Sequence, residues 1–175
     1  PAHHESIARG ISPDGKIVVG YSNYKQDNNA KAVVFRESGA VELALLDSGC
    51  IAYDVCLKAG LPSFQSDPEM AGRIIVGYSN ILNQYAIRYP GARAVYWDDW
   101  DNVVPLPYPV DSILPNGEKI FSSEAVSISD DGRIIAGNLY YNQRFSPQHH
   151  MSYPCVWIFH PLNRNGLSYE LLCVM

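Results

Sequence analysis

The residues best equipped for chemistry come in small groups. His3-His4 and His149-His150 offer metal-ligating nitrogens, and Ser22 and Ser79 recur in an identical Gly-Tyr-Ser-Asn tetrapeptide. Carboxylates gather at Asp14, at Asp130-Asp131 and in Asp98-Asp99-Trp100-Asp101. Each group fails a requirement of the chemistry it suggests. Adjacent side chains on a strand point to opposite faces and do not easily share one ion, so the histidine pairs are read as exposed loop or tag-like residues. His160, before Pro161, reads as a turn residue. The serines lack the second glycine and the following helix of a Gly-x-Ser-x-Gly nucleophile elbow, and a repeated serine is a poor single nucleophile. Asp14, Asp130 and Asp131 recur with a glycine in the same turn, where Asp bonds its own turn amides. The run at 98–101 lacks the alternating ligands and central glycine of a calcium loop and reads as a solvated hairpin tip. No Gly-x-Gly-x-x-Gly or phosphate loop occurs. The expectation is a protein without catalytic residues, cofactor or metal.

Cys50, Cys56, Cys155 and Cys173 are irregularly spaced and form no C-x-x-C pair, which argues against a structural zinc site. Buried free thiols are the favoured reading. A Cys50–Cys56 bridge closing a short loop is the alternative, and it would need an oxidising compartment.

What positions these residues is a repeat. Ile7-Ala8-Arg9-Gly10-Ile11-Ser12-Pro13-Asp14-Gly15-Lys16-Ile17-Val18-Val19-Gly20 returns as Ala125-Val126-Ser127-Ile128-Ser129-Asp130-Asp131-Gly132-Arg133-Ile134-Ile135-Ala136-Gly137. Between them stands Gly72-Arg73-Ile74-Ile75-Val76-Gly77-Tyr78-Ser79-Asn80, so the anchoring glycines Gly20, Gly77 and Gly137 lie 57 and 60 positions apart. A second anchor follows each: Ala32-Val33-Val34-Phe35, Ala94-Val95-Tyr96-Trp97 and Cys155-Val156-Trp157. Each copy resolves into about four short strands. In the first these are 6–12, 16–22, 31–36 and 40–46, with Ser12-Pro13-Asp14-Gly15 as a tight hairpin. Ile17-Val18-Val19 and Ile74-Ile75-Val76 are apolar on both faces, as expected for strands covered on two sides. The second copy replaces the hairpin motif with 58–71, and 105–115 links it to the third through four prolines. The copies fall at about 6–48, 50–108 and 122–175, in one domain over 1–175.

Composition sets the outer bounds. A chain of 175 residues, 47% apolar and 18% charged, is globular rather than a disordered polyelectrolyte. Twelve Tyr with three Trp and five Phe favour strands and aromatic-lined surfaces. A net charge of −5 makes nucleic acid a poor partner. No apolar run is long enough to span a bilayer, and the start, without an initiator Met or a signal-peptide pattern, reads as that of a mature or excised piece.

Four-stranded units repeated along a chain predict an all-β fold of β-propeller-like blades, with an open stack of antiparallel sheets as the alternative. The pattern A-x-x-I-S-x-D-G-x-x-V-G-x-S, followed by A-V-x-W and a glycine turn, resembles the bacterial HAF repeat, usually described as extracellular. The likeness covers most of the chain in three imperfect copies. Its Ser-Pro-Asp-Gly turn also resembles TolB-like propeller repeats, and the second copy has lost Ile-Ser-x-Asp-Gly. The resemblance implies an exported bacterial protein at the cell surface or beyond it.

Three blades are fewer than the four to eight of closed propellers. Self-association of two chains into a six-bladed ring is expected, unless further blades lie outside this chain or the sheets merely stack. The apolar end, Leu171 to Met175, is expected to pair as a strand.

The loops after the three glycines leave equivalent strands on the same side. Their candidate ligand-binding residues are Tyr24 and Asn28, then Tyr85, Arg88 and Tyr89, then Tyr140, Tyr141 and Arg144. Such residues combine stiff aromatic area with adaptable hydrogen bonds, the mixture favoured at protein and carbohydrate recognition surfaces. The leading expectation is a non-catalytic binding scaffold for a protein or glycan. A structural or oligomerisation module of a larger surface or secreted protein is the first alternative, and a hydrolase with its site at one mouth of the ring the second.

Overall fold

The computed structural model describes residues 3–24, 30–57, 73–81, 91–99, 102–107, 120–142, 150–159 and 169–173. They form twelve strands in three antiparallel sheets of four. The first sheet holds β1 (His3–Ile11), β2 (Val18–Tyr24), β3 (Ala30–Arg36) and β4 (Gly39–Glu42) in chain order. The second holds β5 (Ser48–Leu57), β6 (Arg73–Ile81), β7 (Gly91–Asp99) and β8 (Asn102–Pro105). The third holds β9 (Ile120–Ile128), β10 (Ile134–Asn142), β11 (His150–Phe159) and β12 (Tyr169–Cys173). The fold is all-β, with three four-stranded repeats stacked as propeller-like blades. β12 is the apolar end expected to pair.

Local chemistry explains the hairpins. In blade 1 the Ser12 carbonyl accepts from the Gly15 amide at 2.8 Å, and Gly15 takes φ 72°, open to glycine without strain. Asp14 Oδ1 accepts from the Ser12 hydroxyl at 2.6 Å and from the Lys16 amide at 3.3 Å. Blade 3 repeats this with Asp131, which accepts from the Ser129 hydroxyl at 2.7 Å and the Arg133 amide at 3.0 Å. The turn reading therefore holds for Asp14 and Asp131, while Asp130 stands where blade 1 has Pro13. In blade 2 residues 58–72 lie outside the described residues, yet β5 and β6 still pair from Ser48↔Asn80 to Leu57↔Arg73.

Several boundaries differ from those expected. β4 ends at Glu42, short of residue 46, because the chain then turns to bond the next blade: the Leu46 amide donates to Ser79 Oγ at 2.9 Å. Pro105 belongs to β8 rather than to the linker, and Leu106 after it is buried, its amide donating to the Ala94 carbonyl at 2.9 Å. His3 and His4 begin β1 and His150 begins β11, since pairing with Tyr24 and Asn142 extends those strands past their loops.

Two apolar layers hold the blades together. Ile17, Val19, Ala32, Val34 and Leu43 of blade 1 pack on Cys50, Ala52, Val55, Ile75, Val95 and Trp97 of blade 2. The opposite face of blade 2, with Ile74, Val76, Ala94 and Tyr96, packs on Ala125, Ile128, Ile135 and Trp157 of blade 3. Each layer is cross-bonded in the same way. Trp97 Nε1 donates to the Ala44 carbonyl at 2.6 Å, and Trp157 Nε1 to the Pro107 carbonyl at 2.8 Å. The Ala32 amide donates to Cys50 Sγ at 3.2 Å, and the Ala94 amide to Ser123 Oγ at 2.9 Å. A buried donor left without such a partner would be costly, so these bonds hold the blades in register.

Coverage on both faces is a property of blade 2 alone. Ile74, Ile75 and Val76 are fully buried, whereas in blade 1 Val18 is half-buried and in blade 3 Ile134 is 47% exposed. Among the described residues the end blades have one neighbouring blade each, and one face of each of their sheets is more exposed. Among the described residues the array does not close on itself.

The bridge between Cys50 and Cys56 is not formed. Both are buried thiols outside any disulfide, in the two different apolar layers. Even spacing on a strand would put them on one face, but the bulge between Ala52 and Asp54 shifts the alternation and separates them. Cys155 is likewise a buried thiol outside any disulfide, and burial pushes the Cys50 thiol pKa up.

One ion pair spans the first junction. Arg73, buried at the start of β6, reaches Asp14 at 2.6 Å. The Ser12 hydroxyl bond first, then Lys16 and Arg73, hold the Asp14 carboxyl at about 2, below its ordinary 3.8. A depressed carboxylate contributes stability above its unfolded pKa and loses it as pH falls through the folded one. Asp14→Asn is expected to lower stability near neutral pH by about 1–3 kcal/mol, less than a fully buried pair because Asp14 meets solvent. The gap from wild type should shrink between pH 3.8 and about 2. Denaturant midpoints across that range check it, and a pH-independent gap would refute the assignment.

Candidate functional site

The first strands lie together, β5 against β1 and β9 against β5. Each carries a bulge at the residue after the shared alanine: Ala8 pairs Gly20 and Gly10 pairs Val19, which leaves Arg9 as the extra residue. The same slip leaves Tyr53 over in β5 and Val126 in β9. Bulges re-aim side chains out of the alternating pleat, and here they bring residues of different blades together.

Arg9 places its guanidinium over the Tyr21 ring at 5.6 Å and over the Tyr53 ring of the next blade at 6.0 Å. Arg9 is exposed, and the tyrosines are half-buried. A cation over a ring face within about 6 Å is attracted by the ring quadrupole. Tyr53 packs tilted against Tyr78 at 6.0 Å. The Glu124 carboxylate of blade 3 lies close enough for its charge to act on the Tyr53 hydroxyl. Glu124 Oε1 further accepts from Asn138 Nδ2 at 3.0 Å and from the Tyr140 hydroxyl. One side chain of blade 2 thus meets a cation of blade 1 and the field of an anion of blade 3.

The phenols at this site are donors, not nucleophiles. Burial, then the Glu124 charge, drives the Tyr53 and Tyr78 pKa values above their ordinary 10. Burial and the hydrogen bond to Glu124 do the same for Tyr140. All three hold their protons at neutral pH. Glu124 Oε1 in turn accepts from Asn138 and Tyr140, which orients the carboxylate. The arrangement offers aromatic faces, phenolic edges and one exposed guanidinium.

No family model matches the chain, and no curated protein or solved structure matches it either. Among the described residues no group of His, Cys, Asp and Glu could hold a metal ion, and no helix is long and apolar enough to cross a membrane.

Of the sequence candidates, Tyr140 joins this cluster. Tyr24 ends β2 and Tyr141 lies in β10. Asn28, Tyr85, Arg88, Tyr89 and Arg144 lie outside the described residues. The sequence reading missed Arg9, Tyr21, Tyr53, Tyr78 and Glu124. The signal was present in the register: Tyr21 and Tyr78 follow the anchoring glycines, and Arg9 and Tyr53 follow the shared alanines. Blade 3 breaks both series, with Asn138 in the tyrosine position and Val126 after the alanine, and it places Glu124 where the others have Ile7 and Ile51.

Proposed function

We propose that the protein is a non-catalytic binding scaffold, and that a protein or glycan partner engages the Arg9–Tyr53–Glu124 surface together with the loops that follow the repeat glycines. The observation that carries this reading is the convergence on Tyr53 of side chains from all three blades, with Arg9 exposed above two rings. Tyrosine and arginine dominate binding energy where aromatic area is held rigid beforehand, and here packing and the Glu124 bonds hold the rings. The motif's likeness to HAF repeats supports a partner outside the cell.

A glycan array and an extracellular-protein display library, probed with the intact chain, supply the ligand. Against the strongest binder, Arg9→Ala should weaken binding about 30-fold, the equivalent of about 2 kcal/mol. Thermal unfolding should be unchanged, because Arg9 is exposed and its ring contacts are worth little to stability. Unchanged affinity in Arg9→Ala and Tyr53→Ala would refute the site.

A further inference from the structure

The two ends of the array present the two halves of a blade junction. Within the chain this junction forms twice, each time between a leading face and a following face in the same register. On the following side, Cys50, Ala52 and Val55 of blade 2 and Ser123, Ala125 and Ile128 of blade 3 are buried. The same positions in blade 1 are Ser6, Ala8 and Ile11; the first two are exposed and Ile11 is 59% exposed. On the leading side, Ile17, Val19 and Ala32 of blade 1 and Ile74, Val76 and Ala94 of blade 2 are buried. Their blade 3 counterparts, Ile134, Ala136 and Pro154, are exposed, and Leu172 beside them is 47% exposed.

We propose that these faces bind each other between two copies of the chain, head to tail, so that the leading face of blade 3 of each copy covers the following face of blade 1 of the other. The occupant is a second copy because the chain itself builds this contact twice from the same backbone register. Ala8 keeps the alanine that Ala52 and Ala125 bury at the internal junctions, and Ile11 and Ile134 occupy positions that are buried at both of them. Two such contacts close a six-bladed ring, within the four to eight blades of known propellers. A head-to-tail interface gives a closed ring when its rotation closes and a filament when it does not.

The end faces also differ from the internal ones in a way that makes the contact reversible. Pro154 replaces the alanine whose amide bonds the next blade, and Phe35 replaces the tryptophan whose indole bonds the preceding one. Neither has a donor to leave stranded when the faces part. The contact between copies is therefore apolar and lacks both cross-bonds.

The proposal is independent of ligand binding, because it is read from mass alone. Sedimentation velocity of the intact chain should give twice the 19.5 kDa chain mass at high concentration, returning to one chain on dilution. Ile11→Glu and Ile134→Glu, each at an exposed site, should remain single chains at the concentration where wild type pairs. Mixed, they should recover a species of two chains, since one junction between them carries neither substitution. Ala8→Arg and Ala136→Arg repeat the test if a Glu variant loses its wild-type circular dichroism. A chain that stays single at every concentration overturns the proposal. So do single variants that pair like wild type, a mixture that does not pair, or a mass that keeps growing with concentration.

Discussion

Gly77→Ala is expected to cost roughly 3 kcal/mol or more, because an added Cβ would stand 2.0 Å from the Ile51 carbonyl oxygen and 3.0 Å from its carbon. These are backbone atoms of the neighbouring strand, and no rotamer change relieves them. Moving the strand would open the bulge beside Ala52 and disturb both apolar layers, since blade 2 is common to them. Interiors are packed too densely to absorb such a shift. Against a typical domain stability of about 5–15 kcal/mol the loss is large. Gly15→Ala is the comparison. Gly15 has φ +72° but open space around its missing Cβ, so that substitution meets only the left-handed backbone penalty of about 1–2 kcal/mol. Urea titration of the two variants separates close approach from backbone conformation. Equal losses would show that the shared glycine is not explained by the carbonyl it faces.

Trp97→Ala should be comparably damaging, at about 3–5 kcal/mol, for a different reason. Trp97 is fully buried in the first layer, and its indole carries the bond to Ala44 across the junction. Trp97→Phe separates area from hydrogen bond. Phenylalanine is native at the equivalent position of blade 1, where Phe35 packs on no preceding blade among the described residues, so the ring itself suits the backbone there. Trp97→Phe should lose about 1–3 kcal/mol, for the unsatisfied Ala44 carbonyl and the smaller ring. Thermal unfolding followed by circular dichroism ranks the three proteins, and a Phe variant as unstable as the Ala variant would assign the whole effect to the lost hydrogen bond rather than to packed area. The same order is expected at Trp157, which bonds Pro107 across the second junction.

Much of this architecture is legible in the residues. The Asp-Gly turns, the β-branched runs and the recurring Gly and Trp anchors mark the strands because each acts within a few residues of itself: Asp14 bonds Lys16, and Ser12 bonds Gly15. Strand ends were less legible where the neighbour came from another blade, as when the chain leaves β4 after Glu42 to bond Ser79. The tyrosine site was less legible still. Attention to the long loops found Tyr140 but passed over Tyr53, whose importance rests on Arg9 before it and Glu124 after it in the array.

The groups that could have done chemistry resolve in the same way. Asp14 and Asp131 are turn residues, and Asp14 has a second role that only the stacking of blades creates, as the partner of Arg73. Asp98 accepts from Asn102 at 2.6 Å across the end of the β7–β8 hairpin, as a tip residue should. Ser22 and Ser79 of the repeated tetrapeptide are buried, with Ser79 bonding the backbone of the preceding blade.

By itself the sequence determined the all-β class, the three repeats, the four strands in each and the hairpin chemistry, because these follow from residue type, alternation and turn preference over short spans. Tertiary structure decided which sheet faces are covered, where the bulges throw Arg9 and Tyr53, and why Cys50 and Cys56 stay apart. Those outcomes depend on one-residue slips in register and on contacts between blades. A slip of one residue exchanges the two faces of a strand while leaving its composition unchanged.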